Sequence, residues 1–144
     1  MSGALSSWQS WAVLSAIFAA LTAIFAKVGV ENISSDLATF IRTIVVIVTL
    51  GFLLVVTGQF QAPGTISGRT YLFLLLSGLG TGASWLCYFR ALKIGEAAKV
   101  APIDKLSVVL VAIFGVAFLG ERLTAPNWLG IALIAVGAVL VAYR

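Results

Sequence analysis

Leu37-Ala38-Thr39-Phe40-Ile41-Arg42-Thr43-Ile44-Val45-Val46-Ile47-Val48-Thr49-Leu50-Gly51-Phe52-Leu53-Leu54-Val55-Val56-Thr57 holds one charged side chain, Arg42, and no proline. Crossing roughly 30 Å of hydrocarbon takes about 20 helical residues, and this stretch supplies them. It is a continuous apolar run. A strand of a membrane barrel would alternate between lipid-facing and lumen-facing residues, which this stretch does not do. In lipid each backbone N–H and C=O must find its partner within the protein, and a single segment achieves that as a helix. Asp36, immediately before the run, is the expected N-cap.

Working outward, four more runs of similar length follow the same pattern: residues 11–30, 70–92, 97–119 and 126–143. Pro126 suits the first turn of the last one, where a missing N–H leaves nothing unsatisfied. The longest connection, residues 58–69, contains glycine, proline and serine. Trp8, Trp11, Tyr71, Trp128 and Tyr143 fall near segment ends, as interfacial aromatics do. The expected architecture is all-α: one multi-pass domain of five transmembrane helices over residues 1–144. The first run lacks a basic start and a convincing cleavage site, so it is read as a retained helix rather than a signal peptide.

Composition agrees. The chain is 61% hydrophobic and 10% charged over 144 residues, with a mean hydropathy of +1.13, whereas a soluble domain carries roughly 25% charge. The net charge of +4 comes from isolated basic residues with no run among them, which marks topology rather than a nucleic-acid site. There is no histidine, which excludes imidazole metal sites, and no cofactor motif is expected. The lone Cys87 has no partner within the chain and reads as a packing residue. With five spans, Lys27, Arg90, Lys93, Lys99 and Arg144 fall on one side and Arg69 and Arg122 on the other. Five against two favours the first side as cytoplasmic, with the N-terminus outside, and leaves insertion in both orientations open.

Charged groups within spans are costly and mark candidate sites. Arg42 lies about one and a half turns into its run; it either snorkels to headgroups or lines a polar site. Asp104 and Lys105 lie about two turns into the fourth run, after Pro102. Asp104 is too short to reach water easily, which makes it the foremost substrate-binding candidate, while Lys105 can snorkel or pair with it. Pro102 frees the Ala98 carbonyl beside Asp104, either to line a cavity or as a simple kink. Ser107 extends the Asp104 face by one turn. Gly78, Gly80 and Gly82 thin the third helix, for close packing or for bending. Trp85 and Tyr88, one turn apart, form an aromatic wall for a substrate or face lipid.

Tyr88-Phe89-Arg90-Ala91-Leu92-Lys93-Ile94-Gly95, Val100-Ala101-Pro102-Ile103, Leu119-Gly120-Glu121-Arg122-Leu123-Thr124 and Trp128-Leu129-Gly130-Ile131-Ala132-Leu133-Ile134, in this order, resemble the EamA-type drug/metabolite transporter repeat. Most members carry two inverted copies, ten helices in all; this chain resembles the single-repeat bacterial and archaeal branch. The resemblance implies an inner-membrane transporter whose two copies pair, antiparallel, around a cavity that opens to alternate sides. Five helices alone are too few to enclose a path. Glu121 and Arg122, in the family turn, are expected to end the fourth helix rather than to touch substrate.

The similar small multidrug resistance proteins couple protons to cations through a glutamate in their first helix. Here residues 16–26 contain no acid. One deep acid and two bases instead suit amino acids, other zwitterions or small organic anions. Two alternatives stand beside a metabolite transporter: a multidrug or cation exporter, and a non-transporting subunit of a paired membrane complex. An intramembrane enzyme lacks support, with no histidine, no paired acids and no serine beside a base.

Overall fold

The computed structural model describes residues 7–143; Arg144, one of the topology-marking cations, lies outside the described residues. The described chain is helical with no strand: α1 Trp8–Gly29, α2 Ser35–Thr57, a 3-10 turn Pro63–Thr65, α3 Gly68–Ile94, α4 Ala97–Asp104, α5 Ser107–Leu119 and α6 Ala125–Ala142. Counting α4 and α5 as one segment, Ala97–Leu119, five segments are long and apolar enough to cross a membrane. Cysteine chemistry plays no part in holding them, since Cys87 is a free, exposed thiol.

Local chemistry sets the helix ends. Ser34, not Asp36, caps α2: its extended backbone turns the hydroxyl onto the Leu37 N–H at 3.2 Å. Asp36 sits in the first turn and is turned elsewhere. At the other end Gly58 adopts φ 64°, and the Gln59 N–H returns to the Leu54 carbonyl at 3.1 Å. Ser67 performs the α2 role for α3, accepting from the Thr70 N–H at 3.1 Å. At α6, the Asn127 side chain accepts the Thr124 N–H at 2.9 Å, the reciprocal half of a capping box.

Within α2, hydroxyls solve their own desolvation. Thr39, Thr43, Thr49 and Thr57 each donate to the carbonyl four residues back, at 2.9, 2.8, 2.8 and 2.7 Å. A hydroxyl that bonds its own helix carries no unmet donor into lipid. This is why four threonines are compatible with a spanning helix.

The fourth segment departs from a continuous helix, and the interruption falls one turn after the proline. The Lys105 N–H reaches back to both Ala101 and Pro102 carbonyls, at 3.3 and 3.1 Å, and the Leu106 N–H bonds Ile103 at 3.0 Å. These three-residue spacings tighten the chain into a short 3-10 turn between α4 and α5.

The chain divides into two compact units, one of Phe25–Lys93 and one of the chain up to Ile24 with Ile94 onward. In the latter, α6 packs against α4 and α5. The buried positions of α5 and α6 are Ala112, Gly115 and Ala138, small residues that let helix backbones approach without a hydrophobic driving force. In the Phe25–Lys93 unit the buried residues gather at one end: Ala26 and Val30, Ala38 and Thr39, Phe89 and Leu92. From there on, α2 and α3 carry large apolar side chains in the open, such as Val48 at 65% and Leu74 at 64% exposure.

The two glycines at the helix ends and the one inside α5 differ in what an added methyl would meet. Gly58 has open space around it but a left-handed backbone; Gly115 is helical, and the atoms nearest an ideal Cβ there belong to the Glu121 side chain, its carboxylate oxygen at 2.5 Å. Gly58→Ala is expected to cost about 1–2 kcal/mol, the strain of an L residue in that conformation. Gly115→Ala is expected to cost nothing, because the flexible Glu121 end swings aside and alanine suits a helix better by roughly 0.5–1 kcal/mol. Thermal unfolding in detergent ranks the two; equal losses contradict this account.

Candidate functional site

In the Phe25–Lys93 unit, three basic residues grip the α1–α2 turn. The Lys27 ammonium, in the last turn of α1, donates to the Leu92 carbonyl at 2.7 Å. The Lys93 ammonium, in the last turn of α3, donates to the Ile33 carbonyl. Leu92 lies in the last turn of α3, where carbonyls lack intrahelical partners and carry the negative end of the helix dipole; Ile33 lies in the α1–α2 connection, outside either helix. Between them Arg90 forks onto Asp36, with Nε to Oδ1 at 3.1 Å and Nη2 to Oδ2 at 2.9 Å. Thus Lys27, Arg90 and Lys93, expected only to mark a membrane side, also tie the end of α1, the start of α2 and the end of α3 together. Val30 and Leu92, both fully buried, fill the space under this clasp.

The clasp sets the position of Arg42. Asp36, Thr39 and Arg42 follow one another at three-residue steps, one seam of α2. On α3 the seam meets Trp85 and Phe89, four residues apart and so on one face. The Arg42 guanidinium lies 3.9 Å from the Trp85 ring centroid and 5.6 Å from that of Phe89. Tyr88 is half-buried and within electrostatic range of the same guanidinium. A guanidinium on an aromatic face is worth about 0.5–1 kcal/mol when exposed and about 2 when desolvated. Arg42 is half-buried, and no carboxylate among the described residues forms an ion pair with it. Stacking uses the flat face of the group and leaves its N–H edge free for a planar acceptor.

The structure therefore brings Arg42, Trp85 and Tyr88 together. It adds Phe89, whose only sequence signal was its spacing of four from Trp85, and the Asp36–Arg90 pair, which no spacing announces. Arg42 inclines toward α3 and stacks there, which is more than a snorkelling side chain does.

Asp104, Lys105 and Ser107 stand at the interruption between α4 and α5. The Lys105 ammonium is 3.3 Å from Asp104 Oδ2, with Asp104 the more covered of the two side chains, at 36% against 57% exposure. Adjacent residues point about 100° apart in an α-helix and about 120° apart in a 3-10 turn, so the length of the lysine side chain is what closes this contact. The same turn nearly eclipses residues three apart, so Ser107 follows Asp104 along one line. Pro102 is half-buried one turn earlier.

Gly78, Gly80 and Gly82 have nothing within 4 Å of an added Cβ among the described residues. Glu121 folds its carboxylate over Gly115 while its N–H bonds the Gly115 carbonyl at 3.1 Å, and Gly120 takes φ 69°. This closes α5, as expected for the Gly-Glu-Arg-Leu turn. No group of three or more acidic, cysteine or histidine residues among the described residues is placed to hold a metal ion.

Comparison with known proteins gives a consistent relationship. The sequence profile of the EamA-like transporter family matches residues 6–143. A Sinorhizobium protein named "uncharacterized transporter in cobO 3'region" is 66% identical over 136 residues, 94% of this chain and 96% of that protein. The Bacillus subtilis (strain 168) protein named "uncharacterized transporter YxxF" is 29% identical over 136 residues. That match spans 93% of this chain but 42% of the longer Bacillus protein. No solved structure matches the chain significantly.

The packing under the clasp sets a stability contrast. Phe89, 3% exposed, is expected to cost about 3–5 kcal/mol when cut to alanine. Leu74→Ala on the open part of α3 is expected to cost far less, since lipid or detergent replaces its contacts. Unfolding of both variants in the same detergent compares them directly; a Leu74 loss as large as that of Phe89 contradicts the contrast.

Proposed function

The chain belongs to the EamA-like transporter family, and on that premise we propose that it is a secondary transporter of a small metabolite bearing a carboxylate, zwitterionic or anionic. Two copies form the working unit, antiparallel, in a bacterial inner membrane, and the cavity between them opens to alternate sides. The observation that carries the substrate class is Arg42: a half-buried guanidinium over the Trp85 ring, 3.9 Å from its centroid, with no ion-pair carboxylate among the described residues. A charge kept in an apolar span without a partner marks a ligand or a path for one. Because the stack leaves the N–H edge open, a carboxylate is the group that fits it bidentately.

Pairing is supported by what the chain leaves uncovered. Beyond the clasp, α2 and α3 present large apolar side chains and the bare backbone of Gly78, Gly80 and Gly82, the kind of surface a second helix packs on closely. The Bacillus relative, more than twice as long as the stretch it shares, is consistent with a family in which one copy of this unit is half of a working assembly. Lipophilic cations fit poorly, since α1 carries no acid from residue 16 to 26. No nucleotide-binding loop is present, so an ion, proton or substrate gradient drives the movement. Asp104, at an interrupted helix, is the acid that serves coupling.

In proteoliposomes, Arg42→Gln is expected to lower uptake of carboxylate substrates at least tenfold, with Arg42→Lys retaining part of it. Unchanged selectivity and flux in Arg42→Gln removes the substrate class. A reporter fused to the C-terminus is expected on both membrane faces; signal on one face alone replaces the antiparallel pair with a parallel assembly or an oppositely oriented partner.

A further inference from the structure

Arg90 and Asp36 occupy the same seam as the Arg42 stack, two turns nearer the α1–α2 turn on α2. Phe89 precedes Arg90 in sequence, and its ring centroid lies 5.6 Å from the Arg42 guanidinium. The seam thus holds two guanidinium groups and one carboxylate. Asp36 offers Arg90 both oxygens, at 3.1 and 2.9 Å, the fork geometry that a free carboxylate also adopts on arginine. Both side chains are more than half exposed, at 62% and 54%. An ion pair so open to solvent contributes little to stability and separates easily.

We infer that Arg90 is a second carboxylate-binding station, outward of Arg42, and that Asp36 is its internal competitor: the tethered aspartate holds the guanidinium until a substrate carboxylate displaces it. This rests on the carboxylate reading of Arg42 and adds to it a residue, a location and an order of contacts. A substrate arriving at the α1–α2 end meets Arg90, releases Asp36, and passes Phe89 to the stack on Trp85. Departure in the opposite sense lets Asp36 close on Arg90 again. The exchange swaps one carboxylate for another on a single guanidinium, so charge at the station is conserved. A tethered competitor also sets a numerical expectation. If Asp36 occupies Arg90 about nine-tenths of the time, the apparent Kd for an external carboxylate there is raised about tenfold over that of the free group.

The test uses the full chain in phosphatidylcholine nanodiscs, which contain no carboxylate lipid, with benzoate as probe and benzamide as its neutral match. Binding is read by fluorescence of Trp85 in a background where Trp8, Trp11 and Trp128 are phenylalanine, and thermal melting checks that each variant is folded. Asp36→Asn keeps the size of the side chain and removes its charge; benzoate is expected to bind about three- to tenfold more tightly, with benzamide unchanged. Arg90→Gln is expected to weaken benzoate severalfold, and in Asp36→Asn/Arg90→Gln the gain from the first change disappears. Affinity in Asp36→Asn that is unchanged or weaker, or a gain that persists without Arg90, overturns the station and leaves the pair as a latch. Arg42→Gln separates the two claims. If it abolishes the benzoate response while the Arg90 and Asp36 variants behave as wild type, the Arg42 site stands and the station falls. If it leaves benzoate binding intact while Asp36→Asn still tightens it through Arg90, the station stands and the Arg42 site falls.

Discussion

Lys27 on the Leu92 carbonyl and Lys93 on the Ile33 carbonyl are crossed contacts: each cation at the end of one helix bonds a backbone oxygen of another segment. On them depends the alignment of α2 with α3. Lipid tails are as apolar as leucine, so burial gives helices little reason to associate inside a bilayer. Polar groups near the membrane surface do have such a reason, because an ammonium and an orphan carbonyl satisfy each other. Cohesion in the Phe25–Lys93 unit is accordingly concentrated at the end where Lys27 and Lys93 meet backbone carbonyls. Val30, Leu92 and Phe89 are buried beneath them, and Arg42 meets Trp85 one layer deeper.

The same economy explains the open faces of α2 and α3. A water-soluble protein could not leave Val48, Leu74 and their neighbours uncovered; here lipid or another helix serves as solvent. Threonine hydroxyls of α2 turn onto their own helix and so carry no unmet donor into lipid. Arg42 forms no ion pair with a carboxylate among the described residues, and lies against the Trp85 and Phe89 rings.

At the interruption between α4 and α5 two neighbours in sequence form an ion pair. Asp104 and Lys105 are consecutive, and a regular helix would point them apart. The Lys105 ammonium nonetheless reaches the Asp104 carboxylate at 3.3 Å, where the chain takes up three-residue spacing after Pro102; the length of the lysine, not the direction of its Cβ, closes the pair. Proline predicts disturbance at Ala98, four residues before it; the observed tightening is on its other side, where the chain adopts three-residue spacing.

Residue order alone determined that this chain spans a membrane with helices, because hydropathy over about 20 residues is a property of local composition and lipid leaves the backbone no other solution. It also singled out Arg42, Asp104 and Lys105, because a charge in an apolar run is conspicuous without any fold. It could place neither the partner of Asp36, taken for a cap while Ser34 has that place, nor Phe89 near Arg42, nor the hold of Lys27 on the end of α3 and of Lys93 on the α1–α2 turn. Those contacts join positions 47 to 65 residues apart, and only tertiary structure decided them: which face of a uniformly apolar helix turns toward which neighbour has almost no signal in hydrophobicity, and depends on a few polar groups finding one another in space.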